Sequence, residues 1–290
     1  MGEPLSRPVG VHAPVAGGLA TAALRYVDAA RAEAVQVFVG NPRGWALSAG
    51  DPAQDAAFRD GCGSRGVPAF IHATLLVNVA SPTAETVTRS AETIAHSLMR
   101  ATAIGARGVV YHAGSAVDAT HVDRAYAQLR EALLPILDAA PAEGPRLLVE
   151  PSAGGGRSLA ARVEDLAAYF AALDDHPLLG VCLDTCHAWA AGHEISSPEG
   201  MTGLLEVLER TVPGRLGLIH ANDAKDPRGS TRDRHENIGA GAIGRDPFAA
   251  IFTHATTVGV PLIVETPSTG YAGHAADVAT LTSLRAHHAP

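Results

Sequence analysis

"LGVCLDTC", residues 179–186, begins as an uninterrupted apolar run and ends on groups able to hold a metal. The run has the length of a β-strand. Along it, Val181 and Leu183 share one face, and Cys182 and Asp184 share the other. Apolar character on both faces fits a strand buried on both sides, as in a parallel sheet. Asp184 closes the strand, and His187 follows at the entry to the next helix. Small, buried packing accounts for the two cysteines, and neither has a CxxC partner. Asp184 and His187 are therefore the candidate ligands of this stretch.

Seven similar runs flank it. They are "VGVHAP" (9–14), "AVQVFVGN" (34–41), "VPAFIHA" (67–73), "GVVYHAGS" (108–115), "RLLVEPS" (146–152), "RLGLIHAND" (215–223) and "PLIVETP" (261–267). Between them lie segments with helical spacing. Residues 82–105 place Val87, Ala91, Ile94, Ala95 and Leu98 on one stripe. Pro82 suits the first turn of that helix and Gly105 its end. Residues 121–140 and 162–173 read the same way. Strand alternating with helix eight times predicts an α/β fold of the (β/α)8 TIM-barrel type. The alternative, a doubly wound open sheet, lacks a Gly-rich dinucleotide fingerprint after its first strand.

Composition sets the outer limits. The chain has 290 residues, 47% of them hydrophobic, enough for a large core and, by length, for one domain or two. The start, "MGEPLSRPVG", has no apolar h-region, and no run approaches membrane-spanning length. Three cysteines do not make a disulfide framework. The expectation is a soluble, cytoplasmic protein without a membrane partner. A formal net charge of −8 argues against coating nucleic acid through bulk charge, though not against a local cationic groove. The tail "LRAHHAP" (284–290) reads as a disordered end.

The strand ends carry the chemistry. Strand one ends near His12. The third, fourth and fifth end at His72, His112 and Glu150; the sixth, seventh and eighth end at Asp184, His220 and Glu265. In a TIM barrel these ends meet at one mouth, the face on which active sites are built. A lone His or Glu there is ordinary. Several carboxylates together, buried beside imidazoles, are costly unless paired or metal-bound. The long loop "HANDAKDPRGSTRDRHENIGAGAIG" (220–244) adds Asp233 and His235, one residue apart. The six strand-end groups other than His12, with His187, Asp233 and His235, make nine, more than one ion needs, and imply two or three. Oxygen and imidazole donors suit zinc first, then manganese or iron.

These motifs resemble endonuclease IV, the family-2 apurinic/apyrimidinic (AP) endonucleases of base-excision repair. "VGVHAPVAGGLATAAL" is similar to the family's opening segment, and "GVCLDTCHAWAAGH", "DRHENIGAGAIG" and "LIVETP" to its most specific signatures. The resemblance covers nearly the whole chain and implies one xylose-isomerase-like barrel over residues 1–290, monomeric, with its metal site at the C-terminal strand ends. It implies three ions, usually zinc. His72, His112 and Glu150 would hold the first. Glu150, Asp184, His220 and Glu265 would hold the second, and His187, Asp233 and His235 the third. It also implies hydrolysis of the phosphodiester 5′ to an abasic site in duplex DNA, leaving a 3′-hydroxyl and a 5′-deoxyribose phosphate. Glu150 is then the catalytic group that orients or deprotonates the attacking water. Three divalent ions would offset six of the eight negative charges.

The expected DNA contacts are Arg43 and Arg234 on phosphates, with Leu75 and Leu76 as a wedge into the base stack. The family commonly has Tyr-Leu at the wedge and often Gln where Gly44 stands. "HAGS" (112–115) replaces a frequent "HPGS", and Pro151 occupies a commonly polar position. These departures spare the metal groups and fall on the DNA-reading surface. Two other readings remain: a metal-dependent sugar isomerase or epimerase on a similar barrel, and a phosphoesterase with a non-DNA substrate. Neither an isomerase nor an epimerase needs the cluster of His187, Asp233 and His235.

Overall fold

The computed structural model describes residues 7–269 and 272–288. The limits expected for the domain, at 1 and 290, lie outside them. Eight strands close a barrel: β1 (Val9–His12), β2 (Val35–Val37), β3 (Ala69–His72), β4 (Gly108–His112), β5 (Arg146–Glu150), β6 (Leu179–Asp184), β7 (Leu216–His220) and β8 (Leu262–Val264). Each strand pairs in parallel with its neighbours, and β8 closes on β1 through Val9 and Leu262. Parallel neighbours need crossovers, and the helices between strands supply them. The expected (β/α)8 barrel is the observed fold.

Alternation along the strands sorts the residues into layers. Ala34, Phe70, Val110, Leu148, Cys182, Leu218 and Ile263 form a small apolar cluster of their own inside the barrel. Two residues further along each of these strands stand Gln36, His72, His112, Glu150, Asp184, His220 and Glu265. On β1, Gly10 and His12 occupy the same two levels. Gly10 has no room for a side chain, because a Cβ there would lie 2.0 Å from the Ala34 carbonyl oxygen. The intervening residues, among them Val109, Val149, Val181 and Leu183, join the larger core between sheet and helices.

The helix of residues 82–105 forms as Ala84–Ile104 and stops at Gly105, whose φ of 70° suits glycine. Its buried stripe differs from the expected one. Ile94 and Leu98 are buried as predicted, with Ser90, Ser97, Ala101 and Ile104, but Val87 and Ala91 are half-buried and Ala95 is exposed. Hydroxyls make the difference. Ser90 and Ser97 donate to the Thr86 and Thr93 carbonyls at 2.6 and 2.8 Å, so they enter the core with their polarity satisfied. The segments at 121–140 and 162–173 form helices Val122–Ala139 and Leu166–Ala172, each entered through a 3-10 turn.

The tail corrects another expectation. Residues Ala275–His288 are helical, so most of "LRAHHAP" is ordered; its last two residues lie outside the described ones. Leu281 and Leu284 are buried, and Arg285 reaches Glu33 (Nη2 to Oε1, 2.8 Å) and the Arg7 carbonyl (2.9 Å). Glu33 also accepts the Val9 amide at 3.0 Å, which ties the last helix to the first strand. Among the described residues no helix is long and apolar enough to cross a membrane. Arg285→Ala should lower unfolding free energy by about 1–3 kcal/mol. Urea denaturation measures it, and an unchanged midpoint would mean the tail helix does not brace β1.

Candidate metal centre

The upper layer of the barrel brings all seven strand-end candidates to one mouth. Glu150 stands at its centre, 1% exposed. Its Oε2 faces His72 Nε2 at 3.3 Å and His112 Nε2 at 3.6 Å. Its Oε1 faces His220 Nδ1 at 3.1 Å and His187 Nδ1 at 3.2 Å. His220 Nδ1 also lies 3.1 Å from Glu265 Oε2 and 3.8 Å from Asp184 Oδ2. The loop pair completes a third group: Asp233 reaches His187 Nε2 at 3.2 Å and His235 Nε2 at 3.1 Å. Among the described residues four sets of donor atoms each converge within 4.8 Å: one is Asp184, Cys186 and His235, whose thiol burial keeps protonated, and the others are His72, His112 and Glu150; Glu150, Asp184, His220 and Glu265; His187, Asp233 and His235. The last three are the sets that the resemblance implied, with Glu150 common to two.

Local structure fixes each group. Asp184 caps the short helix Thr185–Ala190 by accepting the His187 amide at 2.9 Å, and so sets the direction of the His187 ring. His72 Nδ1 contacts the Ala73 carbonyl at 2.7 Å, which turns Nε2 inward. Residues Asp223–Ala224 pair with His235–Glu236 in a short antiparallel ribbon that carries His235 back over the mouth. Asp223, fully buried, accepts the backbone amides of Ala224, Gly239, Gly241 and Ile243 at 2.8–3.0 Å. A Cβ on Gly241 would meet Asp223 and Ala224 oxygens at 2.5 Å, which accounts for glycine in "GAGAIG".

Burial opposes every charge in this layer, and pairing decides the result. Burial pushes His112 down to about 4, against the pull of Glu150, so this imidazole is neutral and ready to donate a lone pair. Burial also lowers His12. For Glu150 the push of burial is overcome by His220 and by hydrogen bonds from His187, His220 and His72, and its carboxyl falls well below the usual range. His187 and His220 rise well above theirs despite burial, His187 held by Asp184, Asp233 and Glu150 and His220 by Glu265 and Glu150. His235 rises to about 9 beside Asp184 and Asp233. Metal binding replaces such shared protons with cations. The donor set fits: oxygens and imidazoles, with His235 Nε2 buried and turned towards Asp233 and Asp184.

A model of the xylose isomerase-like TIM-barrel family matches residues 24–286. A Streptomyces coelicolor protein named "Probable endonuclease 4" is 56% identical over 280 residues, 96% of this chain and 95% of its own. The crystal structure of endonuclease IV from Thermus thermophilus aligns with a TM-score of 0.84 at 33% identity, covering 97% of this chain and 99% of that one. The chain belongs to the endonuclease IV family. A D-tagatose 3-epimerase-like protein aligns with a TM-score of 0.69 at 17% identity, a likeness of fold alone.

The other sequence candidates of this endonuclease IV chain fall around the mouth. Leu75 and Leu76 are 46% and 37% exposed, and Leu75 lines the central cavity of about 370 Å³ with His12, His72 and Asp233. The Leu75 amide and the Thr74 hydroxyl both bond the Pro42 carbonyl, at 2.9 and 2.6 Å, which joins the leucine turn to the exposed Arg43 loop. Arg234 points elsewhere: its guanidinium grips Asp226 through both carboxylate oxygens. Cys182 is in the barrel interior, its thiol pushed by burial to about 12; Cys186, likewise raised by burial, lies near Asp184 and His235.

Asn222 and Gln36 are absent from the sequence-derived candidates, and His12, read there as a strand-end group, had no role assigned. Asn222 donates to Asp184 Oδ2 and accepts the Glu265 amide, both at 2.8 Å. Gln36 and His12 contact Glu265. The signal for Gln36 was a polar side chain two positions past Ala34 in an otherwise apolar strand.

These pairings predict a pH profile for the metal-free protein. His235, raised from 6.5 to about 9, adds stability in full below pH 6.5 and loses it as the pH rises through 9. The Glu265 carboxyl, lowered from 4.5, adds stability above that value and loses it in acid. Chelator-treated protein should therefore melt lower at pH 9 than at pH 6, and metal-loaded protein should resist that loss. A chelated sample that gains stability over this range contradicts the pairing.

Proposed function

We propose that this chain is a DNA-repair AP endonuclease that hydrolyses the phosphodiester 5′ to abasic sites in duplex DNA, leaving a 3′-hydroxyl and a 5′-deoxyribose phosphate. One observation carries the reading: Glu150 presents each carboxylate oxygen to a different group of candidate ligands inside one open cavity. His72, His112 and Glu150 would hold one ion. Glu150, Asp184, His220 and Glu265 would hold a second, and His187, Asp233 and His235 a third. Zinc suits these donors first, with manganese or iron as alternatives. Clustered divalent ions supply activation of the attacking water and neutralisation of phosphate charge.

The chain's own side chains do the rest. Glu150 would orient or deprotonate the attacking water. The carboxylates balance the cations, and the histidines leave the mouth open. Leu75 and Leu76 present an apolar edge to the base stack, and Arg43, on the loop tied to them, reaches for a flanking phosphate. Arg234 takes part only if a phosphate shares it with Asp226. The sugar-isomerase and epimerase reading leaves the cluster of His187, Asp233 and His235 without a task. Work as a monomer, on chromosomal DNA in the cytoplasm, completes the proposal.

The test is incision of a duplex bearing one tetrahydrofuran abasic analogue, with metal content read on the same sample. Incision 5′ to the lesion with three ions per chain is expected. One or two ions without incision would favour the isomerase reading, and three ions without incision would point to another phosphodiester. Glu150→Gln should lower kcat at least roughly 10²-fold. The wedge makes a separate prediction. A leucine cannot stack as tyrosine does, so Leu75→Tyr should strengthen binding to abasic over intact duplex by about 1–3 kcal/mol. An unchanged ratio would remove residue 75 from lesion recognition.

A further inference from the structure

Gln36 is completely buried at the ligand level of the barrel, although it is not itself a metal-binding residue type. Parallel register sets it beside His12 of β1 and Phe70 of β3. Its Nε2 lies 2.7 Å from Glu265 Oε1 and 3.0 Å from His12 Nδ1, and its Oε1 lies 3.0 Å from His220 Nε2. Hydrogen-bond chemistry allows this amide one orientation. A carboxylate only accepts, so the NH2 must face Glu265. The amide oxygen then faces His220 Nε2, which must carry the hydrogen. With a cation in place of the proton it shares with Glu150, His220 Nδ1 would present its lone pair.

The same amide divides the labour within Glu265. Oε1 is occupied by Gln36 and by His12 Nδ1 at 2.8 Å, and Oε2 is left to face inward. The two atoms that Gln36 does not occupy, His220 Nδ1 and Glu265 Oε2, are 3.1 Å apart, and His220 Nδ1 is also 3.1 Å from Glu150 Oε1. We infer that Gln36 is a positioning residue for the ion assigned to Glu150, Asp184, His220 and Glu265: it fixes the tautomer of His220 and selects the ligating oxygen of Glu265. This inference rests on the ligand assignment proposed above. An unheld imidazole would divide its population between two tautomers and two ring orientations, only one of which offers Nδ1 to the ion.

Gln36→Met keeps the length and removes both hydrogen bonds. Gln36→Asn keeps the amide but stops it short of both partners, and serves if the Met variant does not fold. Each should bind one of its zinc ions roughly 10- to 100-fold more weakly in chelator competition and leave the others unchanged. The absorption bands of the cobalt-substituted protein should shift. On the abasic duplex kcat should fall while KM stays within about twofold, because the DNA surface is untouched. His220→Ala is the control. If it loses an ion while both Gln36 variants keep wild-type affinity, cobalt spectrum and kcat, the role of Gln36 is refuted and the ligand assignment stands. If His220→Ala also keeps every ion, the assignment itself is wrong and the inference falls with it.

Discussion

A single buried carboxylate organises the mouth of this barrel. Glu150 is almost wholly removed from water, and an isolated charge there would be prohibitive. It is tolerated because imidazoles from four different segments turn towards it, two on each oxygen. The neighbouring carboxylates enter on the same terms: Asp184 and Glu265 share His220, and Asp233 bridges His187 and His235. The layer is a lattice of mutual neutralisation, and removing one member strands the charge of another.

The barrel makes such a layer affordable by placing a dry one beneath it. Residues one pleat below the ligands, from Ala34 round to Ile263, fill the interior with apolar side chains and one thiol. Water cannot reach the charged groups from below, so access is from the open mouth alone. The two layers are one alternation read at two heights, which explains why short strands suffice. Support comes from side chains outside the three candidate sets. Asn222 holds Asp184 to the backbone of Glu265, and Asp223 gathers the glycine-rich loop whose ribbon carries His235.

Much of this was legible in the sequence because strand alternation and strand ends leave clear marks. Each barrel strand appeared as an apolar run, and seven of the runs ended on or near a His, Asp or Glu that the structure brings to the mouth. Asp233 and His235 were legible only as a pair within a suspiciously long loop. Gln36 was not legible: one amide in a hydrophobic strand has the same appearance whether it orients a ligand or merely satisfies a neighbour. The stripe on Ala84–Ile104 was misjudged for a related reason. Counting apolar residues misses serines that bury by bonding their own helix. The tail was misjudged because two adjacent histidines drew attention from Leu281, Leu284 and the ion pair of Arg285.

The three cysteines, all buried, bear on durability. Burial raises the thiols of Cys62 and Cys182 to about 11 and about 12, and that of Cys186 as well. Oxidants attack the thiolate, and these groups hold their protons and lie out of reach. The proposed centre draws on oxygens and imidazoles rather than thiolates. Thiol oxidation would therefore remove none of the proposed metal-holding groups.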